Sequence, residues 1–270
     1  MGNICIIGPR ASGKTTYLAG LSYFNDYAGS RSSYKVQPLN DDACQLVEMA
    51  ENTILQGSSI APTRLGDRIH TVDDLPYYSF QIEIRKGLFK PPNILQLNVR
   101  DYPGEVFEKI LQTNHEDTIY TEFIDECLMA DVEGCLLLFT EWESSKDAFY
   151  SKLLSRFIAM MDERDRLKNY RLAVAMSKCE RGEIWPGRLD PETDLFGVYL
   201  KKTLKTLKGK LPPQNLRFFA MSTFGVLGRY DPRPNRIDDY GSGGRASVLR
   251  DSPRWNPYNL IEPLDWLHRS

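Results

Sequence analysis

Cysteine and histidine are scarce in this chain: five cysteines and three histidines in 270 residues. No two cysteines stand at Cys-x-x-Cys spacing, which excludes a zinc cluster of the usual ligand pattern. Cys5 and Cys135 lie in apolar, strand-like runs and are expected in the core. The pattern suits a reducing cytoplasm, the location expected here. Long apolar runs are missing too: residues 135–139 are as long as such a run becomes, so no transmembrane segment is expected. Charge of one sign is absent, with 34 basic against 36 acidic residues and a net charge of −2. That balance implies no general attraction to nucleic acid or to an anionic membrane. The first strand-like run starts near Met1, so no signal peptide is expected. N-myristoylation at Gly2 needs Ser or Thr where Ile6 stands.

What remains is ordinary for a soluble globular protein: 41% hydrophobic and 26% charged residues. The length allows one large α/β domain or two small ones. With no repeat and no composition break, a single domain over residues 1–270 is expected.

The most informative stretch is Gly8-Pro9-Arg10-Ala11-Ser12-Gly13-Lys14-Thr15, which fits Gly-x-x-x-x-Gly-Lys-Ser/Thr. An apolar strand-like run, residues 4–7, precedes it, and a helical pattern over about 14–24 follows. Strand, loop, helix is the context that this phosphate-binding motif requires. The glycines let the backbone curl so that successive N–H groups face phosphate oxygens. The helix start adds its positive dipole end and unpaired donors. Lys14 is expected to reach the β- and γ-phosphates, and the Thr15 hydroxyl to ligate Mg²⁺. Arg10, Ala11, Ser12 and Thr16 complete the expected phosphate-side contacts.

Strand and helix patterns alternate along the rest of the chain. Residues 25–76 form a long connection holding one helix, about 41–55. Residues 78–84 and 94–99 alternate apolar and polar and flank a turn-like Lys90-Pro91-Pro92-Asn93, which predicts an antiparallel hairpin. Helices are expected around 118–129, 145–166, 198–207 and 259–268, and strands at 134–139, 171–176 and 216–221. Residues 225–255, rich in Gly, Pro, Arg and Asp, read as a long mobile loop. The order predicts an α/β three-layer sandwich: a mostly parallel sheet, helices on both faces, one antiparallel edge strand.

The strand at 94–99 runs into Arg100-Asp101-Tyr102-Pro103-Gly104-Glu105. A strand-end Asp suits a second magnesium element, with Asp101 acting through water at the carboxyl end of the sheet. Gly104, lacking a side chain, lets its N–H approach a γ-phosphate, and loss of that phosphate would release the segment as a switch.

These motifs, with Ser177-Lys178-Cys179-Glu180 and Ser222, occur in the order found in Ras-like (TRAFAC-type) P-loop GTPases, and the chain resembles that family over most of residues 1–223. The resemblance implies the P-loop NTPase fold, GTP and GDP as ligands, Mg²⁺ as cofactor and a protein effector or regulator. It also implies a base-reading role for Lys178, whose stem would stack on guanine, for Glu180, whose carboxylate would accept from its N–H donors, and for Ser222. The sequence departs from the family pattern in three places. Glu180 stands for Asp, Ser177 for Asn or Thr, and Ser222-Thr223-Phe224 for Ser-Ala-Lys. Within the family the chain is most similar to the bacterial double-GTPase-type branch, through Ile60-Ala61-Pro62-Thr63-Arg64 and residues 259–267. That likeness implies Thr63 as the first-switch hydroxyl of the Mg²⁺ shell, with Thr53 and Thr71 as rivals, and a role in a bacterial multi-component system.

Glu105 follows the Asp-x-x-Gly, where Ras-like enzymes have the water-orienting Gln; a carboxylate there orients or deprotonates water, or is repelled by the γ-phosphate. Arg10 reads as facing solvent or a partner's carboxylate, with a built-in arginine finger as the alternative. Lys14, Glu105 and Thr63 are thus the expected catalytic set of a GTP-binding switch with slow hydrolysis. Two other classes stay open: a P-loop kinase using ATP, and a non-hydrolysing nucleotide-binding adaptor.

Overall fold

The computed structural model describes residues 3–28, 34–56, 69–85, 91–112, 118–239 and 246–268. Its central sheet is parallel, in the order β1 (Asn3–Ile7), β5 (Val132–Phe139), β6 (Arg171–Met176), β7 (Leu216–Ala220). A second sheet is an antiparallel meander of β2 (Tyr34–Pro38), β3 (Tyr77–Ile84) and β4 (Asn93–Arg100). β4 packs beside β1, where Asn98 Nδ2 donates to Asn3 Oδ1 at 3.0 Å.

Strand alternation sorts the core into two layers. Ile4, Ile6, Leu136, Leu138, Ala173 and Ala175 face one way, toward helices α1 (Lys14–Ala28), α2 (Asp41–Gln56) and α8 (Glu262–His268). Cys5, Ile7, Cys135, Leu137, Leu172 and Val174 face the other way. There they meet α4 (Thr118–Leu128), α5 (Ser144–Glu163) and α7 (Lys201–Lys210), the last preceded by the single turn α6 (Gly197–Tyr199). The short α3 (Gly104–Glu108) follows β4. The predicted α/β three-layer sandwich is therefore the observed architecture. Strands with both faces covered explain the apolar runs at 135–139 in β5 and 172–176 in β6. Cys5 and Cys135 are buried, as expected.

The structure corrects the sequence reading in two places. The antiparallel part is more than one edge strand, because β2 extends the predicted hairpin. Only Val36 of Tyr-Lys-Val-Gln-Pro is buried, too little alternation to announce a strand. Residues 225–255 are not one long irregular loop. They hold two antiparallel pairs, β8 (Val226–Gly228) with β9 (Asp231–Pro234) and β10 (Arg236–Asp239) with β11 (Ala246–Leu249). The fully buried Asn235 joins them. Its amide donates to Asp251 O at 2.9 Å and its Oδ1 accepts from Asp251 N–H at 2.8 Å. The side-chain-to-backbone bonds of Asn235 join the two pairs, and the buried Val226, Leu227, Leu249 and Trp255 are too scattered to spell a strand pattern.

No helix among the described residues is long and apolar enough to cross a membrane.

Candidate nucleotide site

The site forms where loops leave the carboxyl ends of β1, β4, β6 and β7. The β1 loop is shaped by backbone constraints. Ala11 and Gly13 have positive φ, 58° and 89°, a geometry that turns backbone N–H groups into a concave nest. At Gly8 a Cβ would lie 2.4 Å from Leu138 O and 2.7 Å from Ser12 Oγ, so only glycine fits against β5. Lys14 folds inside the loop, donating to Gly8 O at 2.9 Å and Pro9 O at 3.4 Å. Burial holds its ammonium below the usual lysine value, against the opposing field of Asp101, Glu105 and Glu108.

The β4 loop meets the first turn of α1. Thr15 Oγ1 donates to Asp101 Oδ2 at 2.6 Å. Asp101 is itself buried and its N–H is held by Pro76 O at 3.1 Å. A hydroxyl and a carboxylate side by side are hard oxygen donors, the chemistry Mg²⁺ takes when phosphates complete its shell. Among the described residues no group of three His, Cys, Asp or Glu is placed to hold a metal ion.

Gly104 packs against the phosphate loop itself. A Cβ there would lie 2.3 Å from Arg10 N and 2.5 Å from the Pro9 carbonyl carbon. Two carboxylates of α3 reinforce this approach. Glu105 Oε1 is 3.1 Å from Arg10 Nε, and Glu108 Oε1 accepts from the Arg10 N–H at 2.8 Å. Arg10 is largely exposed, and within this chain it pairs with Glu105.

The β6 loop reaches the phosphate loop from the other side. Lys178 Nζ donates to Ala11 O at 2.6 Å, and its Cε lies 3.4 Å from where a Gly13 Cβ would stand. Ser177 Oγ lies 2.7 Å from Ser12 O and 3.1 Å from Phe139 O, tying this loop to both neighbours.

The remaining expected residues stand differently. Glu180 is fully buried, with Oε1 3.4 Å from Arg236 Nη1. Ser222 Oγ accepts from Gly225 N–H at 2.7 Å, and the Ser222 backbone pairs with Tyr258 in both directions. Thr16 lines a small cavity with Gly20, Thr53, Thr223, Phe224 and Trp255. Thr63 and its segment lie outside the described residues. Of its rivals, Thr53 is buried on α2 and donates to Met49 O at 2.9 Å, while Thr71 sits beside Asp74, whose carboxylate accepts from its N–H.

Three participants carry no expected role from the sequence. Ser177 lies inside one of the motifs, where it stands for Asn or Thr. Glu108 stands three residues after Glu105, a helical spacing that announces a shared face. Arg236 carried no local signal, since it reaches Glu180 from 56 residues away.

No protein-family model matches the chain, and no curated protein matches its sequence. Solved structures with a related chain path include the GTPase-like domain of S. cerevisiae Ski7 bound to GTP. It is 14% identical, with 99% of this chain and 50% of that chain covered and a TM-score of 0.44. Sup35 complexed with GDP is 11% identical, with 84% and 39% covered and a TM-score of 0.34. The Chaetomium thermophilum signal recognition particle receptor SRb-GTP/SRX complex is 12% identical, with 84% and 95% covered and a TM-score of 0.32. The chain thus spans half or less of the Ski7 and Sup35 chains. At these values the likeness carries no argument about function.

Proposed function

We propose that this chain is a GTP-binding molecular switch with slow, Mg²⁺-dependent hydrolysis, acting through a protein effector or regulator. The observation that carries the reading is the 2.6 Å bond from Thr15 to Asp101. It joins the phosphate-loop helix to the strand-end carboxylate at the one place where a polyphosphate-bound Mg²⁺ needs both. The backbone of residues 11–15 binds the phosphates and the start of α1 adds its dipole. Lys14 supplies a cation from inside the loop. Mg²⁺, held by Thr15 and Asp101, would neutralise charge on the phosphoryl oxygens and fix their orientation. Gly104 carries α3 against the phosphate loop, so the occupant of the loop is sensed by the segment from Asp101 onward. Thr63 is the proposed second hydroxyl. Lys178 and Glu180 are the proposed base-side residues, with Ser222 shaping the adjoining turn.

Glu105 is proposed to orient the attacking water. Its pairing with Arg10 at 3.1 Å favours a second reading, a non-hydrolysing adaptor, because an oxygen engaged by a guanidinium is not the one offered to a water. Against the kinase alternative, the arginine-bearing residues 225–255 follow β7 rather than stand between the middle strands, and Arg233, Arg236 and Arg254 are paired with Asp231, Glu180 and Asp238, and Asp251. Placement in the bacterial double-GTPase-type branch, and in a bacterial multi-component system, rests on residues 60–64 and on the closing segment that contains α8.

Hydrogen exchange tests the switch. With Mg²⁺, residues 101–112 should exchange more slowly in the GTP form than in the GDP form; equal protection in both forms rejects switching. Single-turnover phosphate release then separates a slow GTPase from an adaptor.

A further inference from the structure

The carboxylate proposed to read the base is engaged by this chain's own arginine. Glu180 follows β6 and is 0% exposed; Arg236 opens β10 and its side chain is 4% exposed. Their contact is long, 3.4 Å from Nη1 to Oε1, and Glu180 Oε2 is buried with no hydrogen-bond partner among the described residues. A buried carboxylate so poorly satisfied is costly to keep. The guanidinium is held better elsewhere: Arg236 Nε lies 2.6 Å from Asp238 Oδ1. Asp238 accepts in turn from Ser247 on β11 at 2.9 Å and lies 3.6 Å from Arg181 Nη2. Arg236 therefore belongs to the β10–β11 hairpin and only leans on Glu180. The guanidinium also lies 5.9 Å from the ring centre of Phe224 in the β7 loop, so it stands between the two loops that flank the proposed base position.

We infer that Arg236 is a specificity-determining residue: it occupies Glu180 as an internal cation, and guanine gains the carboxylate only by displacing the β10–β11 hairpin. The inference rests on the proposed base-reading role of Glu180. Guanine offers two adjacent N–H donors to the two oxygens of a carboxylate, including the unsatisfied Oε2. Adenine offers no such pair and has nothing with which to displace a guanidinium. Base recognition is then coupled to the hairpin, and the apparent affinity for GTP is reduced by the fraction of molecules in which the hairpin has not released.

The test compares GTP and ATP binding by calorimetry with hydrogen exchange of residues 236–239 and 246–249. In the wild-type protein GTP should speed exchange in the hairpin and ATP should not. Arg236→Gln should tighten GTP on the order of ten-fold while leaving ATP unchanged, the gain for a competent state populated at about a tenth. Glu180→Gln should abolish the difference between the two nucleotides in every background. If triphosphate still binds but hairpin exchange ignores the base, Arg236 is a fixed strut and the inference fails alone; the wild-type measurement decides this even if Arg236→Gln does not fold. Unchanged GTP affinity in a folded Arg236→Gln protein has the same consequence. If neither nucleotide binds the wild-type protein more tightly than it binds Lys14→Ala, the nucleotide-site reading falls together with the inference.

Discussion

Lys14 and Gly104 show how single residues set the chemistry of the site. Lys14 is buried and bonded to two loop carbonyls, so its charge is already organised where a polyphosphate would need it. Lys14→Ala should leave the fold intact and weaken GTP by at least about a hundred-fold, the loss of a charge-assisted contact worth roughly 3 kcal/mol. Unchanged affinity by titration calorimetry would remove the phosphate-loop assignment. Gly104 is constrained by space rather than by φ. Its Cβ would meet backbone atoms of Pro9 and Arg10 within 2.6 Å, and backbone cannot rotate away as a side chain can. Gly104→Ala should therefore push α3 off the phosphate loop. The expected readout is a loss of GTP-dependent exchange protection over residues 101–112, with nucleotide binding itself less affected. Wild-type protection in this variant would show that the close approach is not what couples the two segments.

At the scale of elements, the antiparallel meander is fastened to the start of α2 by two side chains, Asn40 and Asp42, whose Oδ2 accepts from Tyr77 N–H at 2.9 Å. Asn40 Oδ1 accepts from Ala43 N–H at 3.1 Å, capping the helix, and from Ser79 N–H at 3.2 Å on β3. Its amide donates to Tyr77 O at 2.7 Å. An N-cap alone contributes about 1 kcal/mol, and here the same residue also anchors a strand end. Asn40→Ala should cost about 2 kcal/mol in urea unfolding, and Asn40→Asp, which keeps the acceptor and loses the donor, about half as much. Equal losses in the two variants would place the stabilisation in the amide donor instead. The prediction bears on function because this junction carries the connection that leads back to β3 and so to Asp101.

For the whole molecule, binding and stability are linked. Any ligand that binds only the folded state stabilises it, by about 2.7 kcal/mol at a hundred times its Kd. GTP with Mg²⁺ should raise the Tm, and chelation of Mg²⁺ should remove most of the rise, because Thr15 and Asp101 are proposed to hold the nucleotide partly through the ion. Lys14→Ala should show neither effect. A Tm shift that survives chelation intact would mean that the Thr15–Asp101 pair is structural only. The C-terminal region packs against the first helix of the site. Trp255 is fully buried, donates to Thr223 O at 2.7 Å and packs on Tyr23 of α1 at 5.9 Å between ring centres, so the region after β7 closes over the first helix of the site.

Local spelling decided whatever depends on neighbours along the chain. Residues 4–7 and 172–176 are apolar without interruption because both faces of a parallel sheet are covered, and residues 78–84 alternate because one face of the meander is less buried. The phosphate loop is legible because close backbone approach admits few residue types at Gly8 and at Gly13, and because Lys14 and Thr15 must follow at once. Asp101 and Gly104 are readable for the same reason, standing at the end of a strand that announces itself. What the spelling left open is whatever joins residues distant in sequence. Only the folded chain sets Thr15 against Asp101, Arg10 against Glu105 and Glu108, and Lys178 against Ala11. β2 and the two small hairpins were hidden because their buried apolar residues are too scattered to leave a periodic trace, and the bonds of Asn235 that join the hairpins leave none. Above all, the tertiary structure decided the position of Glu180. Its place two residues after Lys178 marked it as a base reader, but its environment is set by Arg236 on a strand that follows a different loop, and burial makes that partner, rather than solvent, the group it must be won from.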